Sequence, residues 1–160
     1  QIREGHLLLL VGETAGHLGQ SALLAEIEGR AEGDAPPVDL EAEAKNGNFI
    51  RDYFAFIRAC TDLGDGGLAL AAFELAEEAG IGITLEIEDT PTLFGEDQAR
   101  YLMACNFDQA EALRVAANHA GVTLTMVGKV GGTDVSFGNH SAELSELTQV
   151  FRSSFAAAIA

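Results

Sequence analysis

Residues 60–80 read CTDLGDGGLALAAFELAEEAG, and this stretch decides the fold. Its second half, Leu68 to Ala79, is an amphipathic helix. Glu74, Glu77 and Glu78 share one face, and Leu68, Ala69, Ala72, Phe73, Leu75 and Ala76 fill the rest. Gly80 and Gly82 end it. Its first half spends Asp62, Gly64, Asp65, Gly66 and Gly67 on the helix entrance. The plain reading is a tight turn with Asp65 as N-cap, accepting the free amides of the first helical turn. The functional reading aims those amides, or the two carboxylates, at a ligand or its magnesium, with Gly66 and Gly67 permitting close approach. Spacing alone favours the plain reading.

Working outward, Cys60 to Leu63 reads as a short extended piece, and Ile83, Leu85 and Ile87 alternate with polar residues as a half-buried strand. Upstream, Leu7 to Val11 is a buried strand, followed by a glycine-rich turn. Gln20 to Gly29 reads as a helix with Leu23, Leu24 and Ile27 on one face. Glu32 to Pro37 is a surface loop. Asp39 caps a helix carrying Phe49, Ile50, Tyr53, Phe54 and Ile57, with Asn46-Gly47-Asn48 setting off Asp39 to Lys45 as a separate turn.

Downstream, Thr90 to Ala99 is a loop or short turn and Arg100 to Cys105 a strand. Phe107 to Ala120 is a helix with Ala110, Leu113, Ala116 and Ala117 inward, ended by Gly121. Val122 to Val130 is a strand with Val122, Leu124 and Met126 on one face. Gly131 to Asp134 makes a hairpin turn into Val135 to Phe137. Ser141 caps a last helix whose stripe is Leu144, Leu147, Phe151 and Phe155. This order gives an α/β (α+β) fold, a mixed β-sheet flanked by helices.

The 160 residues, 48% hydrophobic, suit one domain spanning 1–160. The chain opens on Gln1 rather than Met and enters a strand almost at once, which reads as a piece of a longer protein. A net charge of −16 with no basic stripe argues against a nucleic-acid partner. No apolar run approaches the roughly 20 residues of a membrane span. No basic head precedes a long apolar segment, and two cysteines make no disulfide framework, so a cytoplasmic location with reduced thiols is expected.

Two further junctions carry chemistry-bearing residues. Gly12-Glu13-Thr14, with Gly16 and Gly19, is no P-loop because no Lys follows. Gly95 and Glu96 precede Arg100, which is four residues from Glu96 and could pair with it. His6, His17, His119 and His140 lack metal-ligand spacing, so no metal ligand is assigned. Cys60 and Cys105 sit among apolar residues and read as buried rather than nucleophilic.

Taken together, the motifs resemble a known family. Leu8-Leu-Leu-Val-Gly12-Glu-Thr14, Leu18-Gly-Gln-Ser21, Asp62-Leu-Gly-Asp-Gly-Gly-Leu68, Leu93-Phe-Gly-Glu96 with Arg100, and Val127-Gly-Lys-Val-Gly-Gly132 follow one another. This order is similar to the C-terminal domain of the large subunits of phosphoribosylformylglycinamidine synthases, in the group named after aminoimidazole ribonucleotide synthetase. The resemblance covers nearly the whole chain. Two positions depart from it: Gly64 and Asp97 stand where the family usually has serine.

The resemblance implies an ATP-dependent amidation in purine biosynthesis. Formylglycinamide ribonucleotide, ATP and glutamine-derived ammonia give the amidine, ADP, phosphate and glutamate. It implies ATP and Mg2+ in the full-length enzyme, the other domains of the large subunit as partners, and a glutaminase subunit or domain. ATP sites belong mainly to the other, N-terminal type of domain, so the isolated chain is expected to be inactive. The ligand-facing candidates are Asp62, Asp65, Gly66, Gly67, Gly95, Glu96, Gly12, Glu13 and Thr14; no catalytic residue is assigned. Two alternatives stay open. One is another ATP-using member of the superfamily: aminoimidazole ribonucleotide synthetase, selenophosphate synthetase, thiamine-phosphate kinase or a hydrogenase maturation protein. The other is a non-catalytic structural domain, in whose favour Gly64 and Asp97 speak.

Overall fold

The computed structural model describes residues 1–158, the side chains of 155–157 excepted. Seven strands form one sheet: β1 (Leu7–Val11), β2 (Ile57–Asp62), β3 (Ile83–Leu85), β4 (Tyr101–Cys105), β5 (Leu124–Val130), β6 (Asp134–Phe137) and β7 (His140–Glu143). Their spatial order is β2-β4-β1-β5-β3-β6-β7. Every ladder is antiparallel except β3 on β6. Five helices accompany it: α1 (Leu40–Asp52), α2 (Gly67–Ala79), α3 (Thr90–Phe94), α4 (Phe107–Ala120) and α5 (Leu144–Ala158).

Side chains alternate across a strand, so a strand covered on both faces is apolar throughout. The interior strand β1 obeys this. Leu8 and Leu10 join the core formed with α2 and α5, which includes Leu68, Ala72, Leu75 and Leu144. Leu9 and Val11 join the opposite core, with Phe49 of α1 and Leu113 and Ala117 of α4. The result is three layers, helices on each side of the sheet.

Local chemistry sets several element ends as expected. Asp39 Oδ1 accepts from the amides of Glu41 and Ala42, both at 3.0 Å. Gly80 (φ 66°) and Gly121 (φ 64°) adopt the left-handed conformation that closes α2 and α4.

Other expectations are corrected. Gln20 to Gly29 is not a helix: only one π turn forms at Leu23–Ile27, where Leu24 is buried and Ile27 is 77% exposed. The helix after Asp39 runs unbroken through Asn46-Gly47-Asn48, because Asn46 is buried and bonded rather than solvated. It stops at Asp52; Phe54–Phe56 form a 3-10 turn and Ile57 already belongs to β2. Thr90 to Phe94 is helical, capped by Asp89 and opened by Pro91.

The Gly131–Asp134 turn does not close a hairpin. β3 inserts between β5 and β6, so the two strands never pair. A bulge at Val127, where β1 partners jump from Gly128 to Met126, reverses the facing of β5. Met126 is therefore 60% exposed, while Val127 and Gly128 are both buried. Ser141 lies in β7 and donates to Asp134 Oδ2 at 2.9 Å instead of capping α5. In α5, Leu144 is buried and Phe151 is exposed, stacked edge-on against Phe73 at 5.3 Å; the Phe155 side chain lies outside the described residues.

Candidate functional site

The three motif junctions converge at one end of the sheet. β1 ends into the loop from Gly12 to Ser21. β2 ends into Leu63–Gly66 and then α2. The segment from Gly95 to Arg100 leads into β4, which pairs with both.

The contacts are close because side chains are missing. Gly67 has φ +60°, and a Cβ there would stand 2.5 Å from the Gly95 carbonyl oxygen. A Cβ on Gly95 would meet the Pro91 oxygen at 2.4 Å and Gly16 Cα at 2.9 Å. A Cβ on Gly12 (φ +102°) would meet the Ala99 oxygen at 2.5 Å. The space these glycines open is filled by neighbouring backbone.

Two carboxylates staple the loops together. Glu96 Oε1 accepts from the amides of Ala22 and Gly66, both at 2.8 Å. Glu96 thus serves the helix entrance in the role expected of Asp65, which is exposed; the N-cap position of α2 is Gly66 (φ 76°). Asp97 Oδ2 accepts from Gly16 at 2.9 Å and Ala15 at 3.2 Å, and Oδ1 accepts from His17 at 3.1 Å. Three successive amides converging on one anion form a nest.

Arg100 is the floor. It is 1% exposed, and its Nη1 donates to the Gly95 carbonyl at 3.1 Å and reaches Asp97 Oδ2 at 3.4 Å. Nη2 reaches the Thr92 carbonyl at 3.4 Å, and Nε has no hydrogen-bond partner among the described residues. Burial pulls the guanidinium pKa down, partly opposed by the Asp97 charge. The Glu96–Arg100 pair that the spacing allowed does not form, because Glu96 is engaged by amides and Asp97 lies nearer the arginine.

α1 braces this end from the side. Ala99 is a non-glycine residue at φ 60°, a strained conformation. It is held by Asn46 Nδ2 donating to its carbonyl at 2.8 Å and by its own amide donating to Glu43 Oε1 at 2.9 Å. Neither α1 residue stood among the candidates. Asn46 did carry a signal: it sits on the face of Phe49 and Tyr53, where a polar residue needs a buried partner.

The candidates divide accordingly. Gly12, Gly66, Gly67, Gly95 and Glu96 are brought together and bonded or packed to one another. Asp62, Asp65, Glu13 and Thr14 are exposed at the rim. Glu13 accepts from the Thr123 hydroxyl. A cavity of about 170 Å³ touches Gly12, Glu13, Lys45 and Asn46, smaller than the ~300 Å³ at which ligand pockets begin. A larger cleft of about 630 Å³ runs along β2 and α2, lined by Arg58, Cys60, Glu74 and Glu78, outside the glycine junctions.

Among the described residues, no three His, Cys, Asp or Glu side chains converge. Magnesium takes six oxygen ligands, so Asp62 and Asp65 do not make a site alone. No helix among them is long and apolar enough to cross a membrane. Cys105 is buried as expected, and burial pushes its thiol up to about 11. Cys60 is exposed on the outer strand, contrary to expectation. Its thiol is also pushed up to about 11, first by desolvation and then by the Asp62 charge.

This architecture and its stapled glycine loops define a known class of domain. Residues 3–140 match the family described as AIR synthase related protein, C-terminal domain, and the chain belongs to that family. It is 66% identical over 160 residues to a Ruegeria protein (strain TM1040), the phosphoribosylformylglycinamidine synthase subunit PurL, covering all of this chain and 22% of that protein. The chain thus spans about a fifth of the length of the relatives it matches. Among solved structures, Thermotoga maritima PurL complexed with FGAR superposes with a TM-score of 0.75 at 17% identity, covering 91% of this chain and 28% of that one. The T. maritima protein complexed with ATP gives 0.71 at 17% identity, covering 92% and 26%.

Proposed function

We propose that residues 1–160 form one domain of a phosphoribosylformylglycinamidine synthase large subunit. The parent enzyme amidates formylglycinamide ribonucleotide, using ATP with Mg2+ and glutamine-derived ammonia, in the cytoplasm with its thiols reduced. Its partners are the remaining large-subunit domains and a glutaminase. The observation that carries this reading is 66% identity along the entire chain to a PurL subunit. Identity at that level supports this synthase over the other ATP-using superfamily members.

Within that enzyme, this chain presents a braced loop end to a cleft shared with other domains. Asp62, Asp65, Glu13 and Thr14 face that cleft. Gly12, Gly66, Gly67, Gly95 and Glu96 shape the surface on which they stand. The carboxylates repel a bare phosphate, so they meet the ligand through magnesium, a base from another domain, or the substrate's polar groups. The cation and the oxygen ligands that complete its shell come from outside this chain.

A second reading has its own support. The glycine Cβ positions and Glu96 are satisfied within the chain, which suits a domain that only packs the large subunit. Reconstitution separates the readings. The remainder of the large subunit is mixed with this chain and given ATP, magnesium, ammonia and formylglycinamide ribonucleotide. ADP release is expected only with both pieces and the ribonucleotide. Loss of turnover in Asp62→Asn and Asp65→Asn, with association intact, supports the ligand-facing role; full turnover in both supports the packing role. Amidine synthesis by the 160-residue chain alone would refute the shared cleft.

A further inference from the structure

We propose that Ala15, Gly16 and His17, with Arg100 beneath them, form an oxyanion site that Asp97 holds shut from within. The ligand class is a tetrahedral oxyanion, either free phosphate or a phosphate monoester. The proposal is independent of which reaction the parent enzyme runs.

Three observations carry it. First, three consecutive backbone amides point at one anionic group, at 3.2, 2.9 and 3.1 Å. Nests of this kind bind carboxylate and phosphate by the same N–H geometry. The group they hold here is a side chain arriving from about 80 residues away, a tethered anion. Second, a fully buried guanidinium lies beneath that anion, with Nη1 at 3.4 Å from Asp97 Oδ2. A buried cation requires an anionic partner. Third, three of those four donors crowd onto Asp97 Oδ2 and one onto Oδ1, so an anion with a third oxygen would spread them more evenly.

The surroundings permit exchange. Asp97 is 7% exposed, while Ala15 is exposed and Gly16 half-buried, so the nest lies just under the surface. A phosphate reaching it must displace a carboxylate whose effective concentration is that of a tethered group. The net charge of −16 adds a general repulsion. The native loop is therefore closed to phosphate, and the carboxylate alone closes it.

The experiment uses the 160-residue chain and its Asp97→Ala variant, each titrated with inorganic phosphate, ribose 5-phosphate, or chloride at matched ionic strength. Thermal midpoints and the amide resonances of residues 15–17 are read. Asp97→Ala is expected to melt about 10 °C lower in chloride. Millimolar phosphate should restore half of that loss or more, moving the three amide signals; the native chain should respond no more than to chloride. A ribose 5-phosphate response equal to that of phosphate assigns the site to phosphate monoesters; a response to phosphate alone assigns it to the free oxyanion. Asp97→Ala melting identically in phosphate and chloride overturns the proposal, as does an equal phosphate response in the native chain. Should Asp97→Ala not fold, Asp97→Ser removes the charge and shortens the side chain out of the nest; the same phosphate-specific stabilisation is required of it, and its absence sinks the idea.

Discussion

Two junctions of this molecule are built from the same residue types and do opposite work. Asp62 to Gly67 and Gly95 to Arg100 each set two acidic residues beside glycine at the end of a strand. In the first, the carboxylates of Asp62 and Asp65 stay exposed and the amides look elsewhere for acceptors. In the second, Glu96 and Asp97 turn inward and hold five amides between them. The difference comes from the neighbours. Loop 12–22 lays its unpaired N–H groups over the second junction, and buried Arg100 supplies a positive floor. Composition marks a place where backbone approaches closely; which acid becomes structural depends on where the orphan amides fall.

The sharpest way to break the comparison is to remove an inward acid. Asp97→Ala strands three amides and the Arg100 charge, and should destabilise the chain by about 3–4 kcal/mol in urea melts. A change under about 1 kcal/mol would make the two junctions equivalent after all. Next comes Gly67→Ala. Its φ of +60° and the 2.5 Å approach to the Gly95 oxygen leave no room for a methyl group, so a loss of about 3 kcal/mol is expected. Gly64→Ala, with nothing within 4 Å of its Cβ, is the matched control and should be near neutral.

A pH series gives a smaller effect. Burial raises the Cys105 thiol from 9.0 to about 11, so the folded state keeps a proton that the unfolded chain releases. That stabilisation is complete below pH 9 and disappears as pH rises toward 11. Cys105→Ser, although it costs stability overall, should reduce the slope across that window, the remainder coming from Cys60, whose thiol is raised to the same value; an unchanged slope would remove Cys105 as a source. Smallest of all, Asp62→Asn and Asp65→Asn should each shift stability by no more than about 0.5 kcal/mol, because neither carboxylate holds a partner. A shift several times larger in either would show the outward acids to be structural.

Much of the scaffold was legible residue by residue. Leu7 to Val11 declares a strand buried on both faces. Phe107 to Ala120 has its C-terminal end written in Gly121, and Asp39 and Gly80 act on backbone within four residues of themselves. The errors share another pattern. Gln20 to Gly29 has helical spacing, yet its entrance is pulled aside: the Gln20 amide bonds the Glu32 carbonyl and Ala22 bonds Glu96. Gly131 to Asp134 has hairpin composition, yet β3 arrives from fifty residues upstream to separate the strands. Asp65 is well placed for a cap, and a residue 30 positions from Gly66 does that job instead.

By itself, the sequence determined most of the elements, a mixed sheet flanked by helices, the family motifs and the three glycine-bearing junctions. These rest on periodicity, caps and glycine, which act within a few residues. Only the tertiary structure decided which acids stay in solvent and which become staples. Glu96 meets Ala22 across 74 residues and Asp97 meets Gly16 across 81. Such partners are chosen by how the sheet orders its strands, and buried amides take the nearest acceptor that order supplies.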